Sequence, residues 1–162
     1  MAKLVEGGVK LRDQLNARFP GRDKRSDGWI GDSAHAARGS RSDHNADKNG
    51  WVHALDIDEN FGQGKWRNGR NGQALANQLV AYAASNLPGS NRVKYVVYEN
   101  AIASGTYRNT WWKWRKGNWG HTAHIHISFT AKAQQDGQPW PLPILAKTAK
   151  QRREWSANLA GK

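Results

Sequence analysis

The chain contains no cysteine. That excludes a disulfide scaffold and every thiolate-held zinc site. Any metal must then rest on histidine and carboxylate, the donor set of catalytic zinc. Acid is scarce as well: 13 Asp and Glu stand against 25 Lys and Arg, and no acid occurs from 100 to 135. The resulting net charge of +12 suits polyanions such as nucleic acid, an anionic membrane surface or an acidic wall polymer. Charge alone does not choose among them. No apolar run approaches the length of a membrane span, so no membrane insertion is expected. The first ten residues lack the apolar stretch of a signal peptide, and the expectation is synthesis in the cytoplasm without a recognisable export route.

The 162 residues suffice for one domain with a real core. Leu4, Val5, Val9, Leu11, Leu15 and Phe19 recur at helical spacing before Pro20, so a first helix is expected over 3–18. Gly7 and Gly8 weaken its start. Residues 21–50 are polar and glycine-rich, and read as an ordered loop region of functional use. Strands are expected over 51–58, 93–98 and 123–130, with a further short one over 111–114, and a second helix over 71–86. Residues 101–103 continue a hairpin or begin a turn. The order of elements implies an α+β fold, a small antiparallel sheet with flanking helices. A single domain over 1–145 is followed by a basic tail, 146–162, of weak helical character.

Three of the six histidines crowd into six residues: His121, His124 and His126. The segment 123–129 alternates, so His124 and His126 share one strand face and Ile125, Ile127 and Phe129 the other. Two imidazoles about 7 Å apart on one face repel when protonated, and a metal ion is the commonest reason for such a pair. A second polar cluster reads Ser42-Asp43-His44-Asn45, then Ala54-Leu55-Asp56-Ile57-Asp58. Ala54, Asp56 and Asp58 share a face, and His53 projects the other way. His44, Asp56 and His126 together supply two imidazoles, one carboxylate and an open fourth position, as a hydrolytic zinc site requires.

These residues resemble the LAS-type zinc peptidases, the group of lysostaphin, the D-Ala-D-Ala metallopeptidases and hedgehog. The motif elements are Ser42-Asp43-His44, Gly50, Ala54-Leu55-Asp56 and His124-Ile125-His126, and the likeness spans roughly residues 26–130. It is strongest to D-Ala-D-Ala carboxypeptidase-like enzymes and to phage endolysin peptidases that cut peptidoglycan stem peptides. The resemblance implies Zn2+ on His44, Asp56 and His126, with Asp58 the alternative carboxylate. Many relatives carry a Glu base three residues before the last ligand, where this chain has Ala123. His124 or His121 is therefore the expected catalytic base. Arg38 and Arg41 are candidates to steady an oxyanion, and Ser42 to bind substrate. His44 and Asp56 stand twelve apart, against seven in the family, so the intervening residues must loop back. Peptidoglycan and anionic wall polymers are the implied partners, met as a monomer after holin-mediated release.

The nine tryptophans bear on this reading. Trp111, Trp112, Trp114 and Trp119 interleave with Lys113, Arg115 and Lys116, a pattern that stacks on bases or sugar rings. With His44, Asn45 and Asp47 it also suits a metal-dependent nuclease. A ligand set split by some 80 residues fits small His-Asn-His nucleases poorly. A non-catalytic binding module on the same fold is the third reading, kept alive by the missing Glu.

Overall fold

The computed structural model describes residues 1–31, 37–39, 42–62, 69–105 and 111–161. Among these, three helices, α1 (Glu6–Arg18), α2 (Gly69–Ala84) and α3 (Ala149–Ala160), accompany seven strands. The strands are β1 (Lys3–Leu4), β2 (Trp51–Val52), β3 (Ala54–Asp58), β4 (Val93–Tyr98), β5 (Ala101–Ser104), β6 (Arg115–Lys116) and β7 (His124–Phe129). Five of them form one sheet in the order β3-β7-β4-β5-β6, antiparallel at every pairing. β1 and β2 form a separate parallel pair. The α+β class expected from the sequence is the class observed.

Alternation along the strands builds the core. Leu55 and Ile57 of β3, Val96 of β4, and Ile125, Ile127 and Phe129 of β7 are fully buried. They join Leu11 and Leu15 of α1 and Leu75, Leu79 and Tyr82 of α2 in one apolar cluster. Gly7, a poor helix former, has a packing reason. A Cβ there would stand 3.1 Å from the Ala133 Cβ and 3.2 Å from the Asp136 carbonyl. That close approach lets the Gly7 carbonyl accept a hydrogen bond from the Trp140 indole N–H at 2.8 Å. Trp140 is itself fully buried, with the Arg92 guanidinium 3.8 Å from its ring.

Several elements differ from expectation. The strand over 51–58 breaks at His53, because the chain changes partners there. β2 pairs with β1 and β3 with β7, while the His53 amide donates to Asp43 and its carbonyl accepts from Phe129. Residues 101–103 belong to a β4–β5 hairpin. Its two loop residues, Glu99 and Asn100, sit at φ 49° and 59°, the left-handed pair that a tight hairpin needs. No strand forms over 111–114; Trp111 makes only an isolated bridge to Ser104, and pairing with β5 falls to Arg115 and Lys116. The basic tail is a three-turn helix, capped by Thr148, whose hydroxyl accepts from the Gln151 N–H at 3.0 Å. Trp155 and Leu159 pack it onto the core.

Candidate metal centre

The sheet face away from the core helices carries Asp56, His126, Ser128 and Tyr95. Register explains the convergence: Asp56 lies directly opposite His126 across the β3–β7 pair, and Val97 lies opposite His126 on the other side. His44 comes from the loop before β2. Its backbone is held by the Gly31 N–H, and its Nδ1 donates to the Trp29 carbonyl at 3.0 Å. That bond fixes the tautomer and leaves the Nε2 lone pair facing the sheet. The Trp29 segment is anchored in turn by Gly28, which bridges Asp56 on the free edge of β3.

Three donor groups meet, with a different Asp56 oxygen facing each imidazole. His44 Nε2 lies 3.3 Å from Asp56 Oδ2, His126 Nδ1 lies 3.0 Å from Asp56 Oδ1, and the two nitrogens are 3.2 Å apart. Metal–ligand bonds of about 2.0–2.1 Å in a tetrahedron place neighbouring donors about 3.3 Å apart. The spacing therefore fits one small cation held by three ligands. Both imidazoles also have the supporting partner that metal ligands need: Trp29 for His44, and the Ser128 hydroxyl, 2.8 Å from Nε2, for His126. His44 and His126 are buried, and Asp56 is half-buried. His44, Asp56 and His126 thus form a group able to hold a metal ion.

Asp56, His121 and His124 form a second such group, and it fits less well. His121 Nδ1 and His124 Nε2 are only 2.7 Å apart, a hydrogen bond between two rings rather than two ligands of one ion. His124 Nε2 is 3.6 Å from Asp56 Oδ2. The His121 backbone takes φ 56°, after Gly120 at 71°. The Glu99 and Asn100 amides of the β4–β5 loop hold it there by donating to the His121 and Gly120 carbonyls. Left-handed non-glycine residues of this kind cluster at functional sites.

Electrostatics follow the geometry. Burial resists charge on Asp56, but the His126 and His44 imidazoles outweigh it and hold the carboxyl well below its usual range. Burial likewise opposes charge on His44 and is the largest single effect, but the hydrogen bond and charge of Asp56, the Trp29 carbonyl and the charge of Asp43 together outweigh it, so the His44 pKa is raised. For His126 burial prevails and the pKa falls. Burial, then the neighbouring charge of His126, lowers His121 to about 4.

A cleft of about 450 Å³ opens over the group, lined by Arg38, Ser42, His44, Lys94, Tyr95, Arg115, Trp119, His121 and His126 among others. Arg38 and Ser42 are both on its wall. Arg41 lies outside the described residues. Asp58 is committed elsewhere: it accepts from the Ser26 N–H and hydroxyl and from the Asn60 N–H. His53 faces away and bonds Gln134. Asn45 donates to the Gly39 carbonyl and Asp47 caps its own turn at Asn49 and Trp51, so neither joins the metal group. Of the four clustered tryptophans, Trp119 lines the cleft, while Trp112 and Trp114 pack on the core.

Two site residues escaped the sequence reading. Ser128 was findable, two residues past His126 on the same strand face. Tyr95, whose ring stacks on His126 with centroids 5.5 Å apart, was not, because its position depends on β4 lying beside β7. No family model, curated protein or solved structure matches this chain.

Proposed function

We propose that the protein is a zinc-dependent peptidase of the LAS type. Its substrates are peptide bonds in the stem peptides or cross-links of bacterial peptidoglycan, and its setting is that of a phage endolysin. One observation carries this reading. Two imidazole nitrogens and a carboxylate, drawn from a loop and two adjacent strands, converge at tetrahedral spacing beneath an open cleft. The motif residues Ser42, His44, Gly50, Asp56, His124 and His126 support the family likeness.

A bound zinc would supply a water of lowered pKa and a Lewis acid for the carbonyl. The chain's own residues do the rest. His44, Asp56 and His126 hold the ion. His121 lines the cleft, and its depressed pKa keeps it neutral at physiological pH, so it is free to accept a proton. With its Nδ1–H donated to His124 Nε2, its own Nε2 is the basic nitrogen and the ring is held in place. Arg38, on the cleft wall, is placed to attract the developing oxyanion.

Mass spectrometry of muropeptides after digestion tests the proposal. It should show new termini within the stem or cross-bridge, abolished by a chelator and by His44→Ala and His126→Ala. Intact muropeptides with zinc-loaded protein would refute it, and cleavage of plasmid DNA would favour a nuclease.

A further inference from the structure

We infer that the helical side of the molecule carries a second binding site, for a flexible polyol-phosphate polymer of the bacterial wall. The site is the cleft between α1 and α3. Lys10, Gln14 and Arg18 line one wall, and Lys147, Gln151 and Trp155 the other. Lys10, Gln14 and Arg18 step by four and form one stripe along α1, while Gln151 and Trp155 lie four apart on α3 and Lys147 just precedes its Thr148 cap. The cleft shares no residue with the metal cleft. α1 belongs to the core side of the sheet, whereas the metal group sits on the opposite face.

Its chemistry selects the ligand. Three cations, two amides, an indole and the apolar Pro139 and Leu145 line it, and no acid does among the described residues. Gln14 is locked in place, since both ends of its amide bond the Trp140 backbone, at 2.8 and 3.2 Å. Gln151 is fixed by the Lys147 N–H on its Oε1 at 2.9 Å. Such a surface is built to receive anions bearing hydroxyls. Lys10 and Arg18 stand eight residues apart, about 12 Å along the helix. One phosphate cannot reach both, but a chain of phosphates can. Nucleic acid fits less well. Trp155, half-buried against the core, is the only aromatic in the cleft among the described residues, so they offer successive bases no stacking ladder. An alditol phosphate needs no such ladder.

The test is fluorescence anisotropy of a labelled synthetic poly(glycerol phosphate) with the full chain at low salt. It reads binding alone, so its outcome is independent of whether the protein cleaves peptidoglycan. The triple variant Lys10→Gln, Arg18→Gln, Lys147→Gln should bind about tenfold more weakly or worse, three screened cation contacts being lost. A control triple, Lys24→Gln, Lys48→Gln, Lys132→Gln, removes the same charge from other exposed positions and should lose about twofold. Gln151→Glu keeps the α3 cap and places a negative charge in the cleft, and it should weaken binding as well. Equal loss in the two triples, or unchanged binding in the cleft triple, overturns the site. Competition by single-stranded DNA equal to that of the unlabelled polymer overturns the ligand class.

Discussion

Replacing Asp56 with asparagine keeps the shape of the site and removes the anionic donor of the His44–Asp56–His126 group. The carboxylate oxygens now lie 3.0 and 3.3 Å from the two ligand nitrogens. Changing a partner that merely supports a ligand costs 10–100-fold in metal affinity, so loss of a ligand's charge should cost about 100-fold at least. A ligand at 100 times its Kd stabilises a fold by about 2.7 kcal/mol. For a chain of this length that is a rise of about 8 °C in Tm. With affinity a hundredfold weaker, the same zinc concentration equals Kd and contributes about 0.4 kcal/mol, or about 1 °C. Differential scanning fluorimetry of metal-free protein, with and without zinc, reads both shifts directly. Full retention of the zinc shift in Asp56→Asn would refute the assignment. Asp56 belongs to both candidate groups, so a second pair decides between them. His126→Ala should abolish the shift and His121→Ala should keep it, and the reverse would move the metal to the histidine pair at 121 and 124.

Three other outcomes are expected. Ser128→Ala, which strips His126 Nε2 of its 2.8 Å partner, should weaken zinc about tenfold by competition with a chelating dye, with little change in metal-free Tm. In metal-free protein, His121 should titrate by NMR at about 4 rather than 6.5. A histidine depressed in this way contributes stability fully above 6.5 and loses it as pH falls toward about 4. His126 acts in the same direction and His44 in the opposite one, so a His121→Gln variant should lose part of the acid sensitivity seen in urea melts. Trp140→Ala should cost about 3–5 kcal/mol, since the ring is fully buried against Tyr82, Phe129 and Arg92 and its N–H is bonded to Gly7. A loss under 1 kcal/mol by chemical denaturation would show that the Pro-rich segment does not close the core.

The legible parts of the site were those set by local periodicity. Alternation in 123–129 and 54–58 alone put His126 and Asp56 on faces opposite the isoleucines, and the strand register agrees, pairing Asp56 with His126 and Ile57 with Ile125. What alternation leaves open is which polar residues meet. Asp56 and Asp58 look equivalent along the strand. Only the packing of the 26–28 loop gives Asp58 to Ser26 and leaves Asp56 beside the histidines. Tyr95 was hidden for a similar reason, since its value depends on strand order. The tryptophan cluster divides in a way that aromatic interleaving does not foretell: Trp112 and Trp114 pack on the core and Trp119 lines the cleft.

The twelve-residue spacing of His44 and Asp56 is resolved by long-range pairing. The excursion between them closes on itself, for the His53 amide donates to the Asp43 carbonyl and brings its two ends together. Inside it, the Asp47 carboxylate takes the Asn49 and Trp51 amides and folds the chain into a compact turn. The loop is then clamped from outside. Gly50 at φ 86° presents its carbonyl to the Lys3 amide, and β2 runs parallel beside β1. A side chain at Gly50 would collide with the Met1 carbonyl, 2.7 Å from its Cβ position. The glycine is thus required by the seating of the first strand, not by contact with a metal. His44 is held from both flanks, by the clamped turn after it and by the Trp29 carbonyl on its ring. The extra residues therefore lengthen the chain between the two ligands without loosening the centre they form.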